Sequence, residues 1–186
     1  MFEEITIPEP WRSFWKEIDA ALSEPVEFHC LGGFVITLLY GLERSTADVD
    51  FISVIPRKSV GGLIKIAGKG SPLHHKYGIY LDVVGIATVP ENYEERLTEI
   101  FKSEFQNIKL LALDPYDTAL AKIERNIQRD RDDVKHLARV VPFDLEILKE
   151  RYEKELRIYL GIPEREDLTL KLWIEAVEEE RNKNQE

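Results

Sequence analysis

Several short groups of residues in this chain have side chains and spacings suited to chemistry on phosphate. Asp48-Val-Asp50 opens the apolar, β-branched run Asp-Val-Asp-Phe-Ile-Ser-Val-Ile. Side chains at i and i+2 of a strand leave the same face, so these two carboxylates converge on one spot. Like charges so placed oppose each other's ionisation unless a cation or solvent lies between them. Hard divalent cations such as Mg²⁺, and Mn²⁺ as the alternative, take oxygen ligands of this kind. Asp82 lies within Tyr80-Leu-Asp-Val-Val, a second β-branched run. An aspartate there is costly unless it is paired, metal-bound, wet or capping a strand end. The chemistry these residues point to is metal-assisted phosphoryl or nucleotidyl transfer.

Other residues bear on the same chemistry. Gly32-Gly33 follows an apolar run and precedes a helical one. A turn without Cβ atoms lets phosphate approach backbone N–H groups and the positive end of a helix, although a Gly-Gly pair is also an ordinary tight turn. Arg44 and Thr46 stand just before the aspartate pair. Arg44 suits phosphate binding or charge balance, and Thr46 suits orienting a carboxylate or capping a turn. Between Asp50 and Asp82 there is no acid, while Arg57, Lys58, Lys65, Lys69 and Lys76 are basic. That stretch suits a polyanion, or it solvates a loop and a helix. His74-His75 is read as part of an extended loop, where neighbouring side chains diverge and no Cys or Asp partner has metal-ligand spacing.

The elements that must position these residues follow from periodicity and punctuation. A helix is expected over 8–24 from Trp11, Phe14, Trp15, Ile18 and Leu22, ended by Pro25. A strand over 26–31, the Gly-Gly turn and a helix over 34–40 come next, with Gly41 as C-cap. Strands are expected over 48–55 and 79–84, with an interrupted helix over 57–70 and a turn-rich link between them. Residues 92–102 read as helix and 108–113 as strand. Helices follow from Asp114-Pro115 to about 125, over 130–140, over 143–160 and over 165–181. Mixed α/β followed by helix alone is an α+β pattern: a small sheet flanked by helices, then a helical bundle. The division expected is residues 1–142 and a C-terminal helical extension, 143–186.

The 186 residues are 44% hydrophobic, with three Trp, seven Tyr and eight Phe, enough for a substantial core. No run approaches the roughly 20 apolar residues of a membrane span, and Met-Phe-Glu-Glu-Ile-Thr lacks the regions of a signal peptide. Cys30 stands alone and forms no internal disulfide, which suits a reducing cytoplasm. A net charge of −10 argues against broad electrostatic binding of nucleic acid.

Gly32-Gly33, a helix and then Asp48-Val-Asp50 resemble the signature of the DNA polymerase β-like nucleotidyltransferase superfamily. The fuller string with Arg44-Ser-Thr-Ala is similar to its minimal prokaryotic members, among them the AbiEii-like toxin enzymes. Gly33 stands where many members carry Ser. The resemblance implies a mixed-sheet core, with Asp82 as third carboxylate beside Asp48 and Asp50 for Mg²⁺, and Gly32, Gly33, Arg44 and Thr46 on the nucleotide. Asp114-Pro-Tyr-Asp through Lys122, Arg129, Asp130 and Asp133 resembles the helical segment of AbiEii-like enzymes. There Lys122 and Arg129 would meet triphosphate or departing pyrophosphate, with Asp130 and Asp133 in support. The alternative is a salt-laced helical hairpin with Asp130 as N-cap. The activity implied is transfer of a nucleoside monophosphate from an NTP to a hydroxyl on tRNA or another RNA end, a protein or a small molecule. An antitoxin protein is a further implied partner, and no oligomeric state is implied. The competing expectations are an inactive domain that binds nucleotide or a partner, and a metal-dependent phosphohydrolase.

Overall fold

The computed structural model describes residues 6–43, 46–84 and 88–183. The first helix, α1 (Trp11–Ala21), places Trp11, Phe14, Trp15 and Ile18 on one buried face, the spacing of an amphipathic helix. Trp15 meets Phe28 edge-on at 5.1 Å, and Trp11 lies 5.1 Å from Phe34. Burial of each such ring contributes roughly 1.5–3 kcal/mol. The end of α1 is pinned by Asp19, which accepts the N–H groups of Gln106 and Asn107 at 3.0 and 2.7 Å.

The sheet has five strands in the order β3-β2-β1-β5-β4. β1 (Val26–Leu31) is nearly all buried, as expected of a central strand, and leads directly into α2 (Gly32–Tyr40). β2 (Asp48–Ile55) runs antiparallel to β1, and β3 (Tyr80–Val83) runs parallel to β2 at one edge. Between β2 and β3 come a 3₁₀ turn (Arg57–Ser59), α3 (Val60–Ala67) and α4 (Pro72–Tyr77). β4 (Thr98–Ile100) and β5 (Ile108–Ala112) complete the other side, with β5 parallel to β1. The remaining elements are α5 (Pro115–Leu120), α6 (Gln128–Val140), α7 (Leu145–Arg151), which continues through a wide turn at Tyr152–Leu156, and α8 (Pro163–Lys183). The architecture is α+β, as the sequence pattern implies.

The chain forms two compact units. One comprises Met1–Gly85 and Leu97–Leu113, and the other Ile86–Arg96 and Asp114–Glu186. The first holds the sheet, with Phe28, Phe34, Val49, Phe51, Leu63 and Leu81 in its core. The second is helical. Its segment Tyr93–Arg96 is tied down by Arg96, which donates to Asp117 at 2.9 Å and to Glu155 at 2.8 Å. Arg151 joins the network through Asp114 at 2.6 Å and Asp117 at 3.0 Å.

Several sequence expectations are corrected. Residues 92–102 are not a helix but a 3₁₀ turn, Tyr93–Arg96, followed by β4. Thr98 and Ile100 are β-branched and suit a strand, and their pairing with β5 prevails over the helical pattern of the flanking residues. The helix after Asp114 stops at Leu120, and Asn126 with φ 43° separates it from α6. The residue before the first turn of α6 is Ile127, so Asp130 lies inside that turn instead of capping it. The helix expected over 143–160 widens after Arg151, where Glu155 takes hydrogen bonds from Arg96 and from the Asn92 N–H. His74 and His75 lie on helix α4, not an extended loop. Ser71 is its N-cap and accepts the His74 N–H at 3.2 Å, with Pro72 at the first helical position.

Candidate metal and nucleotide site

Alternation along β2 sorts its residues onto two faces. Val49 and Phe51 are buried on the core side, while Asp48 and Asp50 occupy the opposite, half-open face. A bulge then interrupts the pairing. His29 faces Ser53 while Cys30 faces Phe51, so Ile52 is extra in β2. The extra residue reverses the alternation, which returns Val54 to the core.

Asp50 stands directly opposite Asp82 in the parallel β2–β3 register, and Asp48 opposite Tyr80. All four therefore share one face. Carboxylate oxygens of Asp48, Asp50 and Asp82 lie within 4.8 Å of one another. Asp82 is exposed because β3 is an edge strand, and the other two are half-buried. Three anions this close are unfavourable alone, and an all-oxygen set is the donor chemistry that hard divalent cations select. The residues therefore fit a Mg²⁺-type ion.

Thr46 donates its hydroxyl to Asp48 Oδ1 at 2.7 Å, fixing the orientation of that carboxylate. Gly32 abuts Asp50 from the β1 side. A Cβ built at Gly32 would stand 2.1 Å from Asp50 Oδ2, and the residue has φ 74°. Both facts restrict the position to glycine. Gly32 and Gly33 form the buried first turn of α2, so the positive end of that helix adjoins the carboxylates. Cys30 is fully buried, and burial together with the Asp50 charge pushes its thiol far up, leaving it unreactive. Arg44 lies outside the described residues.

The helical unit holds the other candidates. Lys122 is 6% exposed, with Nζ 3.0 Å from Asp133 and 3.6 Å from Asp130. Asp130 also accepts Arg125 Nε at 2.9 Å and the Ile127 N–H at 3.1 Å. Burial pushes its carboxyl up, but these hydrogen bonds and the Lys122 charge outweigh that and hold it below the usual value. Arg129 is exposed. Sequence reasoning brought Lys122, Asp130 and Asp133 together correctly as neighbours. It missed Tyr80, although its place two residues before Asp82 is the signal for a shared strand face.

A glycine turn feeding a helix, beside three carboxylates on adjoining strands, is an arrangement suited to a divalent cation and phosphate. The family model described as "Nucleotidyltransferase of unknown function (DUF6036)" matches residues 15–181, and the chain belongs to that family. No curated protein and no solved structure gives a significant match. Among the described residues, no helix is long and apolar enough to cross a membrane.

Proposed function

We propose that this nucleotidyltransferase moves a nucleoside monophosphate from an NTP to a hydroxyl acceptor, with release of pyrophosphate and dependence on Mg²⁺. The observation that carries the reading is the convergence of Asp48, Asp50 and Asp82 beside the Gly32 turn. Bound Mg²⁺ would supply charge neutralisation to the triphosphate and its leaving group. Asp48, held by Thr46, and Asp50, against Gly32, present their oxygens from β2. The N–H groups of the first α2 turn favour phosphate on the β1 side of those oxygens. Asp82, at the exposed edge, faces the side from which an acceptor hydroxyl arrives.

In the narrower form of the proposal the protein is an AbiEii-like toxin, with tRNA or a protein as acceptor and an antitoxin partner. The resemblance of the segment from Lys122 to Asp133 to the helical segment of those enzymes supports that form. Incubation with α-³²P NTPs, Mg²⁺ and an RNA or protein pool tests the reading. Asp48→Asn with Asp50→Asn is expected to lower label transfer by at least about 10³-fold, the scale of lost electrostatic stabilisation in such reactions. Retained transfer in that double variant would sink the mechanism. Tight Mg²⁺–NTP binding by the native chain without turnover would instead identify a nucleotide-binding module. Lys122→Gln is expected to lower the melting temperature, because Asp133 and Asp130 lose the cation buried between them, and an unchanged melt would contradict that role.

A further inference from the structure

The two flanks of the carboxylate site differ in chemistry. On the β1 side lies the glycine turn, which the proposed function assigns to the triphosphate. On the β3 side lies a cluster of Lys69, His74 and Tyr80. The backbone of Gly68 bridges Leu81 in parallel fashion. That single bridge brings the turn carrying Lys69 alongside β3. Lys69 pairs with no carboxylate among the described residues. Its Nζ lies 5.6 Å from the centre of the Tyr80 ring, and Tyr80 is the register partner of Asp48. Two other cations of the basic stretch are neutralised, Lys58 by Glu24 at 3.0 Å and Lys76 by Glu17.

His74 packs edge-on against the same ring at 4.9 Å. Its Nδ1 accepts the Gly70 N–H at 2.9 Å, so the neutral ring carries its proton on Nε2 and offers a donor there. Gly70 with φ 80° makes the turn that brings that N–H to the ring. An ammonium without a carboxylate partner and an imidazole N–H are therefore gathered around one aromatic ring, on the acceptor flank of the three aspartates. An ammonium and a neutral N–H donor form a recognition set for a phosphate oxygen.

We propose that Lys69 and His74, ordered by Tyr80, bind a phosphate group of the acceptor, so that the acceptor is a phosphate-bearing molecule and not a bare protein hydroxyl. The proposal rests on the nucleotidyl-transfer reading, and a two-stage titration of the full chain keeps the two apart. The first stage adds Mg²⁺ and a non-hydrolysable NTP analogue; absence of binding there rejects the transfer reading. The second adds either the dinucleotide ApA or adenosine, and either ribose 5-phosphate or ribose. ApA, ribose 5-phosphate or both are expected to bind about tenfold tighter than the phosphate-free counterpart, the scale of one charge-assisted contact. Which pair shows the difference tells a nucleic-acid end from a phosphorylated small molecule. Lys69→Gln is expected to remove the difference while leaving analogue binding unchanged, and Lys69→Arg to keep it. Equal or absent binding in both pairs, or a preference that survives Lys69→Gln, overturns the subsite.

Discussion

Gly32 shows how one residue can be fixed by two independent demands. Its backbone has φ 74°, and the space where a side chain would begin is filled by Asp50 Oδ2. Gly32→Ala must therefore strain the turn or displace a carboxylate. The expected result is a loss of about 1–3 kcal/mol in stability, the range for a residue forced into a disfavoured backbone region. Weaker Mn²⁺ binding should accompany it. Thermal melts with and without Mn²⁺ check both, and an unchanged melt with unchanged metal response would contradict the close approach. The convergence of Asp48 and Asp50 was legible in the sequence because alternation within one strand is local. The pressure of Gly32 on Asp50 was not, because it depends on β1 lying beside β2. Tyr80 was visible two residues from Asp82, but nothing local showed that Lys69 and His74 would gather on its ring.

At the scale of elements, β2 and the α5–α6 region carry most of the design. β2 was legible as a strand, yet its bulge at Ile52 was not, since a bulge exists only relative to a partner. β4 was hidden for a similar reason. Two β-branched residues in three are too short a run to mark a strand, and they form one where β5 offers an edge. In the helical unit, Asp130 is fully buried among Lys122, Arg125 and the Ile127 N–H. Its folded-state pKa is depressed. Such a carboxyl stabilises the fold fully above its unfolded-state value of about 3.9, and the contribution fades as pH falls through the lower folded value. Asp130→Asn should cost about 3 kcal/mol at neutral pH, the low end for a broken buried pair, because Lys122 keeps Asp133. The difference between variant and native chain should shrink below about pH 4. Denaturant melts at neutral and acidic pH measure it, and a pH-independent difference would refute the assignment.

For the whole molecule, the order of α+β first and helix afterwards was legible, because hydrophobic periodicity changes along the chain. The excursion of residues 86–96 into the helical unit was not. It is held by pairs far apart in sequence, chiefly Arg96 with Asp117 and Glu155. The helical unit also draws its core from late in the chain: Phe143, Leu148, Tyr152, Trp173 and Val177 are all buried. A chain ended at Pro142 would forfeit roughly 10 kcal/mol of apolar burial, comparable to the whole stability of a domain. Residues 114–142 of that shortened chain should exchange amide hydrogens without protection, and native-like protection there would show that the unit does not need its C-terminal helices. The chain passes between its two units at 85/86, 96/97 and 113/114. Neither unit is therefore encoded by one uninterrupted stretch of gene. A recombination event with a single breakpoint cannot exchange the helical unit for another while sparing the carboxylate sheet. A join at 113/114 alone would leave residues 88–96 facing a helical unit whose Asp117 and Glu155 they no longer meet.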